Sequence, residues 1–412
     1  MMLNLRFEVS LESNAGFTLD FDELDGSVGL GFLQVPVTNE VRSVSWRRGR
    51  NSQLDGFSAG TCTVVFDNQN RQLDPSYVSS LFYEQLYPGR AITVKAFQDF
   101  DDFPDPDYFA QSVFSGYTES WSYDYTIDGD ATATVVISDA FSRLASIPIV
   151  SFAVPKETSG ARVARVLSYA GFPSALVVAQ TGYSELAAET ITDTDVLSYL
   201  QLVAQSEFGT MFIDGWGIFR FIQRNSTAGL ASVFLSTNDE NRFIADISFD
   251  YSFDRIFNDI TLVSPTYTVR GSDAPSIAKY GSLAKSYNTL IDSDFAAQSV
   301  ANGVATLGVP ILLPKSVEIN ISDRIYSRLV ERRAVQLFSE LDVGCDAYVE
   351  FIPDEISIGG PLSFPGLMIS AQTVSATPAG ITFTVELEKQ LGYLAFALDT
   401  NFGVLDTNYL GV

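Results

Sequence analysis

The stretch that decides the fold runs from Trp46 to Pro75 and reads WRRGRNSQLDGFSAGTCTVVFDNQNRQLDP. A first strand is predicted to end in the arginines, and a short loop follows at Asp55-Gly56. A second strand is predicted over Thr61–Phe66, where β-branched and aromatic residues dominate. An Asx-type turn at Asp67-Asn68 then closes the segment. The stretch therefore predicts two strands joined by a loop, and with them a β-rich start to the chain.

The same stretch contains a sequence motif of serine hydrolases. Gly56-Phe57-Ser58-Ala59-Gly60 matches G-x-S-x-G, which requires a strand before it and a helix after it. Here a β-type run, TCTVVF, follows the motif, and the chain has no His that could take the proton from a serine. A Ser-His-Asp triad is therefore excluded, and the two glycines are expected to serve a tight loop.

Composition indicates a globular, β-rich protein. The 412 residues suffice for two or three domains. Hydrophobic residues make up 46 % and charged residues 18 %, and the chain has 31 Phe and 18 Tyr, which favour strands. Low charge together with many aromatic residues suggests that part of the surface is buried against other subunits.

The charge balance excludes one class of partner. The formal net charge is −25, whereas binding to nucleic acid phosphates depends on Lys and Arg. Specific nucleic-acid binding is therefore not expected. The acidic balance either serves solubility alone or lines a channel through which DNA slides without sticking.

The cysteines and the termini exclude further classes. Cys62 and Cys345 lie far apart, which is neither a disulfide framework nor a zinc cluster, so both are expected to be reduced core residues. The N-terminal MMLNLRFEVSLE has no continuous apolar region, so no signal peptide is expected. No stretch approaches the length of a transmembrane span.

Hydrophobic periodicity divides the chain into four regions. Residues 1–150 are predicted to be all-β and to form a barrel or sandwich, because short alternating runs recur between turn signals. The expected strands are Ser43–Arg48, Thr61–Phe66, Ala91–Phe97, Ser112–Ser122 and Ala131–Ser138.

Residues 151–245 are predicted to form an α+β domain. Apolar residues recur at helical spacing in Ala161–Ala170, and Gly171 ends that helix. A second helix is expected from Asp193 or Thr194 to Gly209, followed by a hairpin around Asp214-Gly215-Trp216-Gly217. Residues 246–390 return to β structure with one helix, predicted over Ser293–Leu307.

Residues 391–412 are predicted to form a C-terminal arm. Leu398–Phe402 is repeated as Leu405–Tyr409, and two copies are too few for a solenoid. The arm is expected either to order on a neighbouring molecule or to be a frayed terminus. Its candidate contact residues are Asp399, Asn401, Asp406 and Asn408.

No chemical site stands out. A loop crowded with carboxylates could bind calcium, but it lacks the spacing of an EF-hand, and a solvated excursion is the alternative; its acids are Asp99, Asp101, Asp102, Asp105 and Asp107. Glycoside hydrolysis needs only two carboxylates, but nothing singles out a pair. The sequence shows no P-loop, dinucleotide fingerprint or metal-ligand cluster. No catalytic residue, metal or cofactor is therefore predicted.

Several ordered motifs resemble a known family. The RGR…LD.F.AGT…DN…R.DP pattern of Trp46–Pro75, Leu86–Arg90, the Ile256–Val263 strand and Ile277–Gly281 resemble the minor tail, or baseplate hub, proteins of long-tailed bacteriophages. Two departures are visible. Cys345 stands where an Asp is common, and the family's usual His and Trp are absent from the last hairpin.

The resemblance implies a fold and a role. The expected fold is mainly β, with two β-barrel-like domains per subunit and an α+β insertion. It implies a structural virion protein of the tail tip, assembled in the host cytoplasm, that joins the six-fold tail tube to a three-fold tip or central fibre. The implied state is a homotrimer whose six barrels form an acidic ring for DNA passage. The implied partners are a distal tail or tube protein, the tape measure and the tip or central fibre, with no enzymatic activity.

Two alternatives to the hub role stay open from the sequence. One is a hexameric distal tail protein, and the other is a tail-tip adhesin that stacks host glycans on Trp121, Trp216 or Tyr123. The notable cations of the first domain are either paired locally, for example with Asp55 and Asp74, or make subunit contacts; they are Arg47, Arg48, Arg50, Arg71 and Arg90.

Overall fold

A computed structural model describes most of the chain. The described residues are 5–13, 33–37, 40–50, 56–80, 82–98, 111–224, 226, 232–236, 244–250, 256–306, 312–322, 341–351, 362–377 and 380–389. The predicted C-terminal arm contacts Asp399, Asn401, Asp406 and Asn408 and the acidic loop Asp99–Asp107 lie outside these residues.

The described residues up to position 138 form seven strands. They are β1 (Leu5–Ser13), β2 (Leu33–Pro36), β3 (Val41–Gly49), β4 (Ser58–Asp67), β5 (Ala91–Gln98), β6 (Gln111–Tyr125) and β7 (Ala131–Ser138). All five strands predicted for residues 1–150 are confirmed. We call these seven strands the first β unit.

A mixed segment follows. Its elements are α1 (Ala140–Ala145), β8 (Pro148–Val154), β9 (Glu157–Thr158), α2 (Ser159–Tyr169), a 3-10 turn (Ser174–Leu176), β10 (Val177–Ala179), β11 (Glu185–Leu186), β12 (Glu189–Asp195), α3 (Val196–Glu207), β13 (Thr210–Ile213) and β14 (Phe219–Ile222). Both predicted helices are confirmed. The Thr158 and Asp195 side chains cap α2 and α3, and Phe208 ends α3 in the left-handed conformation.

The remaining elements return mainly to strands. They are β15 (Val233–Ser236), β16 (Ile244–Asp250), β17 (Asp259–Val263), β18 (Thr268–Ser272), α4 (Ala274–Tyr280), β19 (Ala284–Asn288), α5 (Asp294–Ala305), β20 (Leu313–Ser322), β21 (Asp346–Phe351), β22 (Leu362–Thr377) and β23 (Gly380–Lys389). The predicted helix at Ser293 is α5, which the Ser293 side chain caps. The short helix α4 falls on the Ile277–Gly281 motif and was not predicted. We call β15, β16 and β20–β23 the second β unit.

One 13-stranded sheet joins the two β units. Its order is β16-β20-β23-β22-β3-β4-β7-β6-β5-β1-β2, and β21 pairs with β22 while β15 pairs with β21. The units meet where β22 pairs antiparallel with β3. The predicted fold class, mainly β with two β-barrel-like domains per subunit and an α+β insertion, is confirmed.

The two β units repeat one topology. From the first unit to the second, β3, β4, β7, β6 and β5 correspond to β16, β20, β23, β22 and β21, and each set pairs in that order. Bulges recur at equivalent places, between Val41 and Ser43 in β3 and between Ile244 and Asp246 in β16. A further pair of bulges lies between Thr118 and Ser120 in β6 and between Ile369 and Ala371 in β22.

The turn that precedes β5 in the first unit is repeated before β21 in the second unit. Gly89 and Gly344 both have positive φ, 91° and 85°. The Gly89 amide donates to the Thr118 carbonyl, and the Gly344 amide donates to the Ile369 carbonyl. A glycine serves both sites because side chains strongly disfavour this backbone conformation.

Two hydrophobic clusters divide the interior. The first combines residues of both β units, such as Trp46, Phe66, Val135 and Phe383. The second combines residues of the mixed segment with residues 256–306, for example Phe219 with Ala301. The predicted division into residues 1–150, 151–245, 246–390 and 391–412 stays a prediction. In the structure, β17–β19 and α5 lie between strands of the second β unit in sequence, but they pack with the mixed segment.

Candidate functional site

The two β units are joined by the pairing of β22 with β3 and by side chains that cross this junction. Six residues of β22 pair with six of β3, from Ala371 opposite Gly49 to Ala376 opposite Val44. Gly49 is required here, because its φ is +129° and an added Cβ would lie 2.3 Å from the Ala371 Cα. The backbones of the two units therefore approach more closely than a larger residue would allow.

Three arginines on β3 and its end cross this junction. Arg47 Nη1 donates to Glu386 Oε1 at 2.8 Å and to Thr373 Oγ1 at 3.1 Å. Arg50 pairs with Glu388, and both side chains are 7 % exposed. The Arg50 guanidinium also lies 5.0 Å from the centre of the Phe57 ring. The partners of these arginines are therefore carboxylates of the other β unit.

Arg48 joins three parts of the chain at once. It lies on β3 of the first β unit and pairs at 2.8 Å with Asp342, which precedes β21 of the second unit. It also donates to Gln372 Oε1 on β22 at 3.1 Å. A third hydrogen bond reaches the carbonyl of Ile213 in the mixed segment at 3.4 Å. The Arg48 side chain is buried, so a partner must compensate its charge.

The turn of the mixed segment is anchored at the same place. Gly215 donates its amide to Asp342 at 3.0 Å and accepts from Ser112 Oγ at 2.7 Å. An added Cβ on Gly215 would lie 2.4 Å from the Ser112 carbonyl oxygen. The mixed segment is thus fixed to both β units beneath their junction.

Asp139 lies next to this cluster. It accepts from the Gly60 amide at 2.7 Å and from the Phe141 amide at 2.9 Å, and it caps α1. Burial raises the pKa of Asp139 to about 7, although these hydrogen bonds and the nearby Arg48 oppose the shift. The carboxyl therefore titrates near neutral pH.

The remaining predicted arginines lie elsewhere in the first β unit. Arg71 pairs with Asp74 at 2.7 Å, and about half of its side chain is exposed. Tyr125 donates to the same carboxylate at 3.2 Å, so Arg71 lies near the end of β6. Arg90 is buried and lies over the Tyr87 ring. Local pairing is confirmed for Arg71 with Asp74, whereas Asp55 lies outside the described residues.

The role of all five arginines as subunit contacts stays a prediction. Arg47, Arg48 and Arg50 make their observed contacts within the chain. Their partners Asp342, Glu386 and Glu388 were not predicted, because these residues are far from the arginines in sequence. The available signal was the similarity of the two hairpin strands, TATVVIS at 132–138 and TFTVELE at 382–388.

The sheet presents a hydroxyl-rich face opposite the core. Residues that alternate with the buried ones on the strands from β16 to β6 are mainly Ser and Thr; they include Ser248, Ser316, Thr384, Thr373, Ser375, Ser45, Thr63, Thr134 and Ser122. Asp124, Asp246 and Glu318 lie on this face, and no cation of the described residues is within ion-pair distance of them. We call this surface the hydroxyl face.

The other candidate sites have structural explanations. Ser58 begins strand β4 and donates to the Gly49 carbonyl, so no helix follows the G-x-S-x-G motif. Trp121 and Tyr123 pack on the first cluster, whereas Trp216 is about half exposed. Both cysteines are buried and free, as predicted.

Metal-ligand clusters and membrane-spanning helices are both absent from the described residues. The described part of the chain contains no group of three or more His, Cys, Asp or Glu side chains that could hold a metal ion. None of its helices has the length and apolar composition needed to cross a bilayer.

The fold is that of solved bacteriophage tail proteins. A tail protein from Neisseria meningitidis MC58 aligns with a TM-score of 0.56 at 12 % identity, over 94 % of this chain and 96 % of that chain. The 43 kDa tail protein of prophage MuSo2 from Shewanella oneidensis gives 0.51 at 13 % identity, over 93 % and 97 %.

A third structure aligns with only part of its own length. A chain of the lidded Francisella PdpA-VgrG complex gives a TM-score of 0.50 at 10 % identity, over 97 % of this chain and 54 % of that chain. At such identities these similarities establish the fold alone. No protein-family model and no curated protein matches the sequence.

Proposed function

We propose that the chain is a structural subunit of a bacteriophage tail, the hub that joins the six-fold tail tube to a three-fold tip or central fibre. The observation that carries this proposal is the duplication. Each chain holds two β units of equal topology, joined edge to edge in one sheet. Three copies would therefore present six near-equivalent β units in a ring, which can face a three-fold partner and a six-fold partner at once.

The contacts at the junction support a rigid pair of units. Arg48 and Arg50 are buried against carboxylates of the second unit, and Arg48 also fixes the mixed segment. A buried ion pair of this kind is costly to break, because one partner is left as an uncompensated charge. The two units of one chain therefore move together, as a ring of alternating units requires.

The hydroxyl face suits the passage of DNA. Its Ser and Thr side chains hydrogen-bond to water, and Asp124, Asp246 and Glu318 repel phosphate. Binding to DNA depends on cations that replace counterions, and the chain has 25 Lys and Arg against 50 Asp and Glu. We place this face toward the channel of the ring, where DNA would slide without specific binding.

The proposed setting follows from this role. The subunit belongs to the virion at the tail tip, is assembled in the host cytoplasm and is not an enzyme. Its partners are a distal tail or tube protein on one side, a tip or central fibre on the other, and the tape measure within.

Native mass spectrometry and negative-stain images of the purified chain test the proposal. We expect a complex of three chains with a central hole and six peripheral β densities. A complex of six chains would favour the distal tail protein instead. A compact monomer at micromolar concentration, or one that binds host envelope by itself, would overturn the hub role.

A further inference from the structure

Of the strand edges that pair with no described strand, one belongs to β6 and another to β16. In β6, residues 111–117 pair with β5, but beyond Thr118 the same edge pairs with no described strand. In β16, one edge pairs with β20, and β16 ends the strand order of the sheet on the other side. Unpaired edges promote association, because their amide and carbonyl groups can bond to another strand.

These two strands are the equivalents of the pair at the internal junction. β6 corresponds to β22, and β16 corresponds to β3. Within one chain, β22 and β3 already pair antiparallel along the equivalent edges. The chain therefore contains one completed junction, between β22 and β3. It also has the two strands needed for a second junction, β6 and β16, at its two outer sides.

We propose that β6 of one copy pairs antiparallel with β16 of a second copy, in the register of the internal junction. The equivalent bulges fix that register. Asp124 then faces Ser248 as Ser375 faces Ser45, and Tyr123 faces Phe249 as Val374 faces Trp46. The inference rests on the proposed hub function and names the surface through which its copies meet.

Burial supports a second copy as the occupant. Tyr125 at the open edge of β6 is 53 % exposed, whereas its equivalent on β22, Ala376, is 3 % exposed beneath β3. On the other side, Ile247 and Phe249 of β16 are only partly buried, whereas their equivalents in β3 are at most 2 % exposed. Each open edge therefore leaves uncovered the apolar positions that the internal junction covers.

The charges favour this register over its neighbours. In the proposed register Asp124 faces a serine, Ser248. A slip by two residues keeps the same side chains on the same face but brings Asp124 opposite Asp246 or Asp250. Like charges directly opposite each other on paired strands are destabilising, so the acidic residues act against the slipped pairings.

Cysteine cross-linking of the full chain tests the register. The variant Asp124→Cys/Ser248→Cys places one thiol on each open edge, and the native Cys62 and Cys345 are buried and do not compete. Residues directly opposite each other on antiparallel strands have Cα atoms about 4.5–5.5 Å apart, which is within the range of a disulfide. We expect oxidation to give a closed covalent product of three chains on a non-reducing gel, with more than half of the protein converted.

Two matched variants control for geometry. Ser45→Cys/Ser375→Cys replaces the equivalent exposed pair of the internal junction. Its disulfide should form within one chain, so the protein should still run as a single chain on the non-reducing gel. Asp124→Cys/Asp246→Cys tests the slipped register, and it removes both opposing carboxylates, which gives that register its best chance. We expect this variant to cross-link at least tenfold less.

The outcomes separate the register from the hub function. A trimer by native mass in which Asp124→Cys/Ser248→Cys does not cross-link, while the internal control does, overturns the register and leaves the hub function standing. Cross-linking in the slipped variant overturns it as well. A chain that stays monomeric overturns both proposals, and a covalent product of six chains contradicts three-fold closure.

Discussion

The two β units share one scaffold, but the same edge is open in the first and covered in the second. The later half of β22 is covered by β3, whereas the later half of β6 pairs with no described strand on that side. The covering strand β3 carries Arg47 and Arg48, Arg50 follows its end, and all three have carboxylate partners. At the position of Arg47, the open strand β16 carries Asp250. The comparison shows that a repeated fold can form a permanent joint within one chain, between β22 and β3, and a separable joint between two copies, through β6 and β16.

The largest expected effect breaks the permanent joint. Arg50→Met removes the cation that pairs with the buried Glu388 carboxylate, which should lower the free energy of unfolding by about 3–5 kcal/mol. Arg47→Met is the matched control, since Arg47 is 41 % exposed and its pair is worth about 0–1 kcal/mol. Urea denaturation of both variants measures the difference. Equal losses would contradict the distinction between the buried and the exposed pair.

The next prediction compares equivalent glycines of the two units. Gly89→Ala should cost about 1–2 kcal/mol from positive φ alone, since an added Cβ meets only the flexible end of Arg143 at 3.7 Å. Gly344→Ala places a Cβ 2.4 Å from the Phe212 ring in addition. We expect it to cost roughly 1–3 kcal/mol more, since overpacking adds to the backbone strain. Thermal unfolding in parallel checks this, and a larger loss for Gly89→Ala would contradict it.

A third prediction concerns pH. The folded pKa of Asp139 lies near 7, above its ordinary value of 3.8. Between about pH 4 and 7 the unfolded chain has released this proton while the folded chain retains it, so this carboxyl makes stability fall as pH rises. Asp139→Asn keeps an acceptor for the cap and should remove this loss of stability, which is on the order of 3–4 kcal/mol between pH 4 and 8.

The pH measurement must separate Asp139 from other acids. Hydrogen bonds and ion pairs lower the pKa of Asp74 and Asp259 to about 2, and these residues stabilise the fold as pH rises through their range. The difference in unfolding free energy between the parent chain and Asp139→Asn, followed from pH 4 to 8, cancels that background. A difference that does not change with pH would contradict the raised pKa.

The smallest expected effect concerns the separable joint. Ser248→Asp places a carboxylate opposite Asp124 in the proposed pairing and should weaken association by about 0.2–1 kcal/mol per contact. Asp124→Lys/Ser248→Asp restores an opposite-charge pair and should recover the affinity. Dissociation on dilution, followed by light scattering, measures both. Equal affinity in all variants would show that these residues do not face each other.

Local structure could be predicted from the sequence, whereas the long-range contacts between the units could not. The strands around Trp46–Pro75 and the helices α2, α3 and α5 follow from periodicity and caps between near neighbours. The pairing of Gln372 with Arg48 joins residues 324 positions apart, and no local pattern encodes it. The same holds for α5, whose apolar face predicts a helix but not the packing of Ala301 in the cluster of the mixed segment.

The candidate site was predicted only in part. The arginines stood out because cations are few in an acidic chain, but their partners were expected nearby in sequence. Within the described residues, the pairing of Arg71 with Asp74 meets that expectation. Arg48 and Arg50 pair across the sheet because each buried charge takes a carboxylate that the fold brings to it.

The recurring bulges have a geometric consequence. A bulge bends its strand and increases the local twist, and both units carry bulges at two equivalent places. Each unit therefore coils the sheet by a similar amount. Successive units then curve the sheet by equal angles. Equal angles allow a ring of units to close without concentrating strain at a single interface.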